Sequence, residues 1–376
     1  MEAAKDYSIC LIGILFFPQI VFIMVQCICK RGNRRFPSCY CEFNNRGILM
    51  RKKKAIKAIL FIFVILFILY VILIYFLVSA CLVPSFMDRL NAFEDITRKC
   101  YAEQVQTTKL KENQSKLLAD TAKWLETAQR TKLSVQTSDG YTLIAAEFAA
   151  GQESDRWVLL LHGYTGWKEE MYQFAYWYHE QGYHVLVPDL RCQGESEGDF
   201  IGMGWTDHYD CALWIDYILS CTPDAQIVLH GQSMGAATAL IMSGQENPSE
   251  HIAAVVSDSA YTDAYSMFGD KITEWFGLPA FPFVDSACLM LRLRGGYDLR
   301  DASALQAVKE SAVPTLFIHG DEDKMIDVEM ARMLYEAASC EKQLFIVEGA
   351  GHGQTQDKDP EAYYGRIADF LTEYVR

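Results

Sequence analysis

Between residues 58 and 83 the chain runs without a single charged residue, and almost every side chain in this run is apolar. A helix needs about 20 such residues to cross the hydrocarbon core of a bilayer. The alternative is a buried core helix, but core helices seldom extend this far without a polar face. The run therefore predicts a transmembrane helix over residues 58–83.

An earlier apolar stretch, residues 7–29, is interrupted by Pro18, Gln19 and Gln26 but is still long enough to span a bilayer. The sequence thus predicts one or two spans, with residues 1–57 forming an N-terminal segment. Between the two stretches, the basic residues are Lys30, Arg31, Arg34, Arg35, Arg46, Arg51, Lys52, Lys53, Lys54 and Lys57. Basic segments of this kind stay in the cytoplasm, so we expect everything after residue 83 to lie outside the cytoplasm, at the cell membrane.

Met50 opens the sequence Met-Arg-Lys-Lys-Lys directly before the long apolar run, as in a short signal-anchor protein. Residues 1–49 are then either upstream sequence or part of the protein, and both Met1 and Met50 remain candidate starts. A cleaved signal peptide is disfavoured, because the apolar run is too long and no clear small-residue cleavage site follows it.

The net charge of −14 hides a split, with a basic segment before the span and a strongly acidic remainder. This distribution argues against a nucleic-acid partner. Two C-x-C pairs, at 27/29 and 39/41, lack a further matching set of ligands and give a poor zinc signal, so we expect no metal. The scattered later cysteines, at 100, 192, 211, 221, 288 and 340, are interpreted as free thiols.

The later part of the chain alternates short apolar runs with longer amphipathic segments. The predicted strands are 157–162, 183–188, 226–231, 252–258, 315–319 and 342–347, preceded by a hairpin at 132–137 and 141–148. The predicted helices are 171–181, 205–220, 236–245, 328–338 and 361–374. This pattern predicts an α/β domain over 131–376, with a mostly parallel sheet covered on both faces by helices.

Two other segments stand apart from this alternation. Residues 84–130 are polar with a loose helical period, which predicts a linker that is either a stalk or a packed lead-in helix. Residues 261–301 separate two strands by an unusually long, aromatic-rich interval, which predicts a small helical lid over the strand ends.

The sequence Gly-Gln-Ser-Met-Gly at 231–235 follows an apolar strand and opens a helix. This is the context in which a G-x-S-x-G turn lifts its serine clear of a sheet, and the tight turn requires small flanking residues. An incidental turn of the same composition is the alternative. We predict that Ser233 is a catalytic nucleophile.

A serine hydroxyl needs a base to take its proton and an acid to orient that base. His352 lies in a glycine-rich loop after the last predicted strand, and Asp323 follows strand 315–319. The resulting order Ser233, Asp323, His352 is the one expected of this architecture. A plain loop histidine is the alternative for His352.

Other carboxylates compete for the role of the acid. Asp321, Glu322 and Asp327 lie near the same strand end, and Asp321 is interpreted as a loop cap. Asp258, at the end of an earlier strand, is interpreted as a structural residue that ties down the segment below the lid. The histidines at 179, 184, 208, 230 and 251 are assigned no catalytic role.

The negative charge that develops on a carbonyl oxygen needs two backbone donors. One is predicted at Met234, after the nucleophile, and the other at Tyr164, in the loop that follows the first long parallel strand. His162 is interpreted as fixing that loop. No dinucleotide fingerprint, phosphate loop or metal-ligand cluster competes with this assembly, so we expect no cofactor.

These motifs together resemble the α/β-hydrolase superfamily over nearly all of residues 132–376. The matching sequences are Leu-His-Gly-Tyr-Thr-Gly at 161–166, Pro-Asp-Leu-Arg at 188–191, Gly-Gln-Ser-Met-Gly at 231–235, Phe-Ile-His-Gly-Asp-Glu-Asp at 317–323 and Gly-Ala-Gly-His at 349–352. More narrowly, the chain is similar to membrane-anchored bacterial serine hydrolases of the esterase and lipase type. The resemblance implies the α/β-hydrolase fold and a triad of Ser233, Asp323 and His352. The chain departs from the family at 191–196, next to the oxyanion loop.

The sequence therefore predicts a serine hydrolase that cleaves an ester-like acyl bond through a covalent acyl-enzyme. We expect a small-molecule or lipid-like acyl substrate. A serine peptidase or C–C bond hydrolase with the same machinery remains an alternative, as does a noncatalytic binding module displayed on the membrane.

Overall fold

The computed structural model describes residues 41–87, 107–245 and 250–376. The chain divides into two compact units, one that ends at Tyr70 and one that comprises Val71–Arg376. The candidate first span at 7–29 lies outside the described residues, as does the middle of the predicted linker, at 88–106.

Helix α1, Cys41–Leu82, contains the apolar run, and its last residues, from Val71 onward, belong to the second unit. Its Met50–Leu82 part contains an 18-residue stretch with a mean hydropathy of 3.3 and is long and apolar enough to cross a membrane. The Phe61 and Phe67 side chains are 65% and 67% exposed. Exposed aromatic side chains on a helix without a polar face are typical of a segment surrounded by lipid rather than by water.

The second unit next forms α2 (Pro84–Met87) and α3 (Thr108–Leu125). The Thr107 hydroxyl caps α3 by accepting the Leu110 N–H at 3.2 Å. Trp124, near the end of α3, packs against Phe148 with ring centroids 4.7 Å apart. Of the two alternatives for this segment, the described part is a packed lead-in helix.

An eight-stranded sheet forms the centre of the described second unit, in the order β1-β2-β4-β3-β5-β6-β7-β8. The strands are β1 (Arg130–Gln136), β2 (Thr142–Phe148), β3 (Arg156–Leu161), β4 (His184–Pro188), β5 (Gln226–Gln232), β6 (Ile252–Asp258), β7 (Thr315–Gly320) and β8 (Lys342–Val347). The hairpin β1–β2 is antiparallel and joins β4, and all the later pairings are parallel. The predicted hairpin and the predicted mostly parallel sheet are both confirmed.

The helices that follow the first parallel strand either cover a face of this sheet or, as α7 and α8 do, lie above the ends of its strands. They are α4 (Tyr172–Glu180), α5 (Trp205–Cys221), α6 (Met234–Ser243), α7 (Ala264–Phe276), α8 (Ala280–Gly295), α9 (Ala304–Glu310), α10 (Val328–Ala337), α11 (Thr355–Lys358) and α12 (Pro360–Tyr374). Helices α3, α4 and α12 share one buried core with the sheet, whereas α6 packs on β5 and β6 together with α5 and α9. Strands buried on both faces must be apolar throughout, which is why β3 and β5 contain continuous runs of Val, Ile and Leu.

The register between β3 and β5 places two of the functional loops side by side. Leu161 pairs with Gly231, so β3 and β5 end at the same level and the loops that follow them are neighbours.

The aromatic interval 261–301 contains helices α7 and α8, as the sequence led us to expect. Helix α9 and a 3₁₀ turn at Lys168–Met171 were not predicted, because both are too short to show a clear period.

Candidate active site

Ser233 lies at the sharp turn between β5 and α6, with φ of 56° and ψ of −117°. An L-residue rarely adopts this backbone conformation, and the tight packing of the turn requires glycine two residues before and two residues after the serine. A Cβ on Gly235 would lie 2.1 Å from the backbone oxygen of Leu161, and one on Gly231 would lie 2.2 Å from the backbone of Gly235. The small residues of the motif are therefore required by close backbone packing.

The three residues predicted as a triad come together at the carboxyl ends of the strands. The His352 Nε2 lies 2.9 Å from the Ser233 Oγ, and the His352 Nδ1 lies 2.7 Å from the Asp323 Oδ2. His352 and Asp323 are only 5% and 8% exposed. With Nδ1–H donating to the carboxylate, Nε2 is left as the acceptor for the serine proton.

Asp323 is held by several donors besides His352. Its Oδ1 accepts the backbone N–H groups of Met325 and Ile326, each at 2.8 Å, and its Oδ2 lies 3.2 Å from the His319 Nε2. Burial opposes ionisation, but the charge and hydrogen bonds of His352 and His319 outweigh it, and the pKa of Asp323 is lowered well below its usual value. The carboxylate is therefore charged at any pH where the enzyme could work.

The competing carboxylates have other partners. Asp321 accepts the Gly349 N–H at 2.5 Å, and Asp327 caps α10 by accepting the Glu329 N–H at 2.9 Å. Glu322 forms an exposed ion pair with Lys324, with 3.3 Å between Nζ and Oε2. None of these three carboxylates has a hydrogen bond to His352 among the contacts described here.

Asp258 is a structural residue, but it ties down a different segment from the one expected. Its Oδ2 accepts the hydroxyls of Thr355, at 2.6 Å, and Tyr363, at 3.0 Å. Both hydroxyls come from helices that follow His352, so Asp258 fixes the loop that carries the imidazole. Burial raises the pKa of Asp258, and these donors oppose the rise. The segment below the lid contributes only the adjacent Ser259 hydroxyl, at 2.9 Å.

The loop after β3 passes directly beside the nucleophile. A Cβ built on Gly163 would lie 3.5 Å from the Ser233 Cβ, and Tyr164 is the next residue of this loop. Met234 is the first residue of α6, where backbone N–H groups have no partner within the helix. Both positions are compatible with the predicted oxyanion role, which stays a prediction.

His162 fixes this loop rather than facing the serine. Its Nε2 accepts the Leu190 N–H at 2.9 Å, which leaves Nδ1 to donate to the Gly163 oxygen at 2.8 Å. Burial lowers the pKa of His162 to about 4, so the ring is neutral and keeps this tautomer.

Asp189, from the Pro-Asp-Leu-Arg motif, braces the same region. Its carboxylate accepts the Lys168 backbone N–H and Nζ, both at 2.7 Å, and the Glu195 N–H at 2.9 Å. Gly194 has φ of +56°, and a Cβ there would lie 2.3 Å from the Asp189 carboxylate. The unusual 191–196 loop is thus anchored to a fully buried acid.

Two of the residues around the site were missed by the sequence reasoning. His319 was never weighed, although it lies in the same Phe-Ile-His-Gly-Asp-Glu-Asp segment as Asp323, and its position at the end of a buried strand was the available signal. Glu170 is part of the lining of the cavity above Ser233. One of two consecutive glutamates in a short 3₁₀ turn gives no sequence signal for such a position.

A cavity of about 580 Å³ lies above Ser233 and His352. This volume is in the range of sites that bind small organic ligands. Its apolar lining comes from the end of α1 and from α7 and α8, and includes Leu77, Val78, Leu82, Met267, Phe268, Ile272, Phe283, Val284 and Ala287. Within the described ranges, no group of three or more His, Cys, Asp or Glu side chains could hold a metal ion.

Comparisons with known proteins agree with this architecture. A sequence profile of the α/β-hydrolase fold matches residues 156–284, and one of the serine aminopeptidase S33 family matches residues 288–359. The uncharacterized protein YqkD of Bacillus subtilis is 26% identical over 247 residues, which cover 65% of this chain and 80% of YqkD. A carboxylesterase of the same organism is 25% identical over 58% of this chain and 92% of its own length.

Among solved structures, the Pyrococcus furiosus esterase Pf2001 superimposes with a TM-score of 0.55 and 22% sequence identity. The superposition covers 69% of this chain and 94% of the esterase. At this identity the likeness concerns the fold, and the chemistry depends on the residues described above.

Proposed function

Because this chain belongs to the α/β-hydrolase superfamily, we propose that it is a serine hydrolase that cleaves carboxylic esters through an acyl-enzyme on Ser233. The observation that carries the proposal is the unbroken hydrogen-bonded relay from Ser233 through His352 to Asp323, at 2.9 and 2.7 Å. Fold alone never proves activity, so the relay is the argument for catalysis.

The reaction begins when the Ser233 Oγ attacks the ester carbonyl carbon and His352 Nε2 takes the hydroxyl proton. The carbonyl oxygen becomes an oxyanion, which the N–H groups of Tyr164 and Met234 stabilise. As the intermediate collapses, the bond to the alcohol breaks and His352 donates its proton to that leaving oxygen. The products of this half-reaction are the free alcohol and an ester of Ser233.

Water then hydrolyses the acyl-enzyme, and His352 again acts first as a base and then as an acid. His352 removes a proton from the water as it attacks the acyl carbon, and afterwards returns that proton to the Ser233 Oγ. The carboxylic acid leaves and the serine is regenerated. Asp323 keeps its negative charge throughout, because its pKa is lowered, and it stabilises the imidazolium that forms in each half-reaction.

An active-site-directed fluorophosphonate probe tests the proposal on the full chain in detergent. We expect labelling of wild type and of Ser220→Ala, a variant of an exposed serine on α5, but none of Ser233→Ala. Folded wild-type protein that takes up no label would favour the noncatalytic binding module instead.

A peptidase is the second candidate function, because the profile that matches residues 288–359 is that of a serine aminopeptidase family. The same triad also serves C–C bond hydrolases, since all these reactions pass through an attack by serine on a carbonyl. A panel of p-nitrophenyl esters beside aminoacyl anilides separates ester from amide preference. Faster turnover of the anilides would replace the esterase proposal with the peptidase one.

We further propose that α1 anchors the protein in the cell membrane, with the 131–376 hydrolase domain outside the cytoplasm. The apolar part of α1 and the basic residues that precede it support this orientation. Labelling of intact cells with a membrane-impermeant probe tests it. Label that appears only after the cells are broken open would reverse the orientation.

A further inference from the structure

The carboxyl end of α1 forms part of the wall of the cavity above Ser233. Leu77, Val78, Cys81 and Leu82 line it together with the nucleophile and His352. All four residues belong to the same compact unit as the sheet. The part of the chain expected to leave the membrane therefore also contributes to the substrate site.

Hydrogen bonds fix this wall to the hydrolase fold. The Tyr164 hydroxyl donates to the Cys81 backbone oxygen, and the Ile201 N–H donates to the Leu82 oxygen at 2.9 Å. Tyr164 belongs to the predicted oxyanion loop, so the helix end is tied directly to the catalytic region.

An arginine on α8 also holds the end of α1. Arg294, in the last turn of α8, donates to the Ser79 hydroxyl at 2.8 Å, and its guanidinium lies 4.1 Å from the centre of the Tyr75 ring. Ser79 is 1% exposed, so this contact is shielded from water. Helices α1 and α8 thus form one continuous side of the cavity.

A count of residues along the apolar run indicates where the proposed crossing would end. Lys57 is the last charged residue before the apolar run. At about 1.5 Å per residue, the roughly 20 residues that follow Lys57 cross a hydrocarbon core of about 30 Å. The crossing ends near Leu77, where the lining of the cavity begins.

We infer that the substrate is a long-chain acyl ester taken directly from the bilayer, whose acyl chain lies against Leu77 and Cys81. The inference rests on the proposed ester hydrolysis and names its substrate class. An acyl chain that moves from the hydrocarbon core to a cavity walled by the same helix stays in contact with apolar surface throughout.

Leu77→Trp tests the inference, because a bulky ring at this partly buried position fills the acyl part of the cavity. The full chain is reconstituted in phosphatidylcholine vesicles and assayed with p-nitrophenyl palmitate and p-nitrophenyl butyrate. We expect wild type to prefer the palmitate ester in kcat/KM, and Leu77→Trp to lose at least tenfold on palmitate and less than about twofold on butyrate.

The matched control is Leu73→Trp, one helical turn earlier, at an exposed position outside the cavity lining, which should change neither rate. Cys81→Phe is a second variant with the same expected selectivity. Fluorophosphonate labelling verifies that each variant keeps an active fold.

Three results would overturn the inference: a wild type that prefers butyrate, equal loss on both esters in the labelled Leu77→Trp protein, or no loss on either. Failure of the proposed function gives a different result, since neither ester would then be cleaved and Ser233 would not react with the probe.

Discussion

The His319 Nε2 lies 3.2 Å from the Asp323 Oδ2, so the acid that contacts His352 is also in contact with a second, fully buried imidazole. The same Nε2 lies 3.0 Å from the Ile326 oxygen, so its N–H is shared between the two acceptors. Because His319 contacts the carboxylate and not the serine, we regard it as a positioning residue.

Replacing His319 with Gln should lower kcat by about tenfold with little change in KM, because a hydrogen bond to a charged group contributes about 1.5–3 kcal/mol. The substitution should also change how stability depends on pH. Burial alone would lower the pKa of His319, but the contact with Asp323 raises it overall above 6.5. The folded state therefore binds this proton more tightly than the unfolded state. The stabilisation is complete below pH 6.5 and is lost as the pH rises through the folded-state value.

Melting curves at pH 5.5 and 9 measure this difference. His230→Gln is the control, for which we expect the opposite pH dependence of the stability difference from wild type. Burial lowers the pKa of His230 to about 3, so wild type is penalised relative to this variant at low pH. A His319→Gln protein whose deficit in melting temperature is the same at both pH values would contradict the proposed contact.

Asp323→Asn should reduce kcat/KM for esters by about 10⁴-fold, since an amide can neither stabilise the imidazolium nor select the correct tautomer of His352. Asp321→Asn is the matched variant two residues earlier, where an amide oxygen can still accept the Gly349 N–H. We expect it to lose less than about threefold. Steady-state kinetics on p-nitrophenyl butyrate compare the two, and similar losses would argue that Asp323 is not the triad acid.

Gly235→Ala should destabilise the fold by about 3 kcal/mol or more, because its new methyl group would meet rigid backbone at 2.1 Å. Gly365→Ala, within α12, meets nothing within 4 Å and should stabilise by about 0.5–1 kcal/mol through helix propensity. Thermal melts in detergent measure the expected destabilisation by Gly235→Ala and the expected stabilisation by Gly365→Ala. Tolerance of Ala at 235 would show that the turn can relax in a way that the packing does not suggest.

Asp207→Asn tests a buried carboxyl away from the triad. Burial and the neighbouring charge of Asp210 raise the pKa of Asp207 to about 7. The folded state thus resists ionisation that the unfolded chain accepts near pH 4, so wild-type stability falls as the pH rises from about 4 through 7. We expect the melting temperature of the variant to rise relative to that of wild type as the pH increases from 5 to 8. A gap that is independent of pH would refute this.

Much of the fold could be predicted because the strands form where the local sequence is a short apolar run. The runs at 226–231 and 315–319 are apolar enough to be buried on both faces, and each of them ends within a residue of the observed strand. The convergence of Ser233, Asp323 and His352 could be predicted for a similar reason, since each lies in the loop after a strand and parallel strands end at one edge of the sheet; their catalytic role stays a prediction.

Several of the contacts that sequence reasoning missed join residues distant along the chain. Nothing in the local pattern around Cys81 indicates that its carbonyl would accept a hydrogen bond from Tyr164. Asp258 likewise finds its hydroxyl partners about 100 residues later, on helices whose orientation is set by packing. Periodicity reports which face is buried and does not report what covers it.

Because the end of α1 supplies one side of the cavity above Ser233, a cut between α1 and the sheet would do more than remove the proposed membrane anchor. A cut just after Met87 would release the sheet, the triad and the lid helices while removing Leu77 and Leu82 from the chamber. The released fragment would keep Ser233 but lose one wall of the cavity. Under the proposed function, cleavage at that point would restrict hydrolysis to small, diffusible esters.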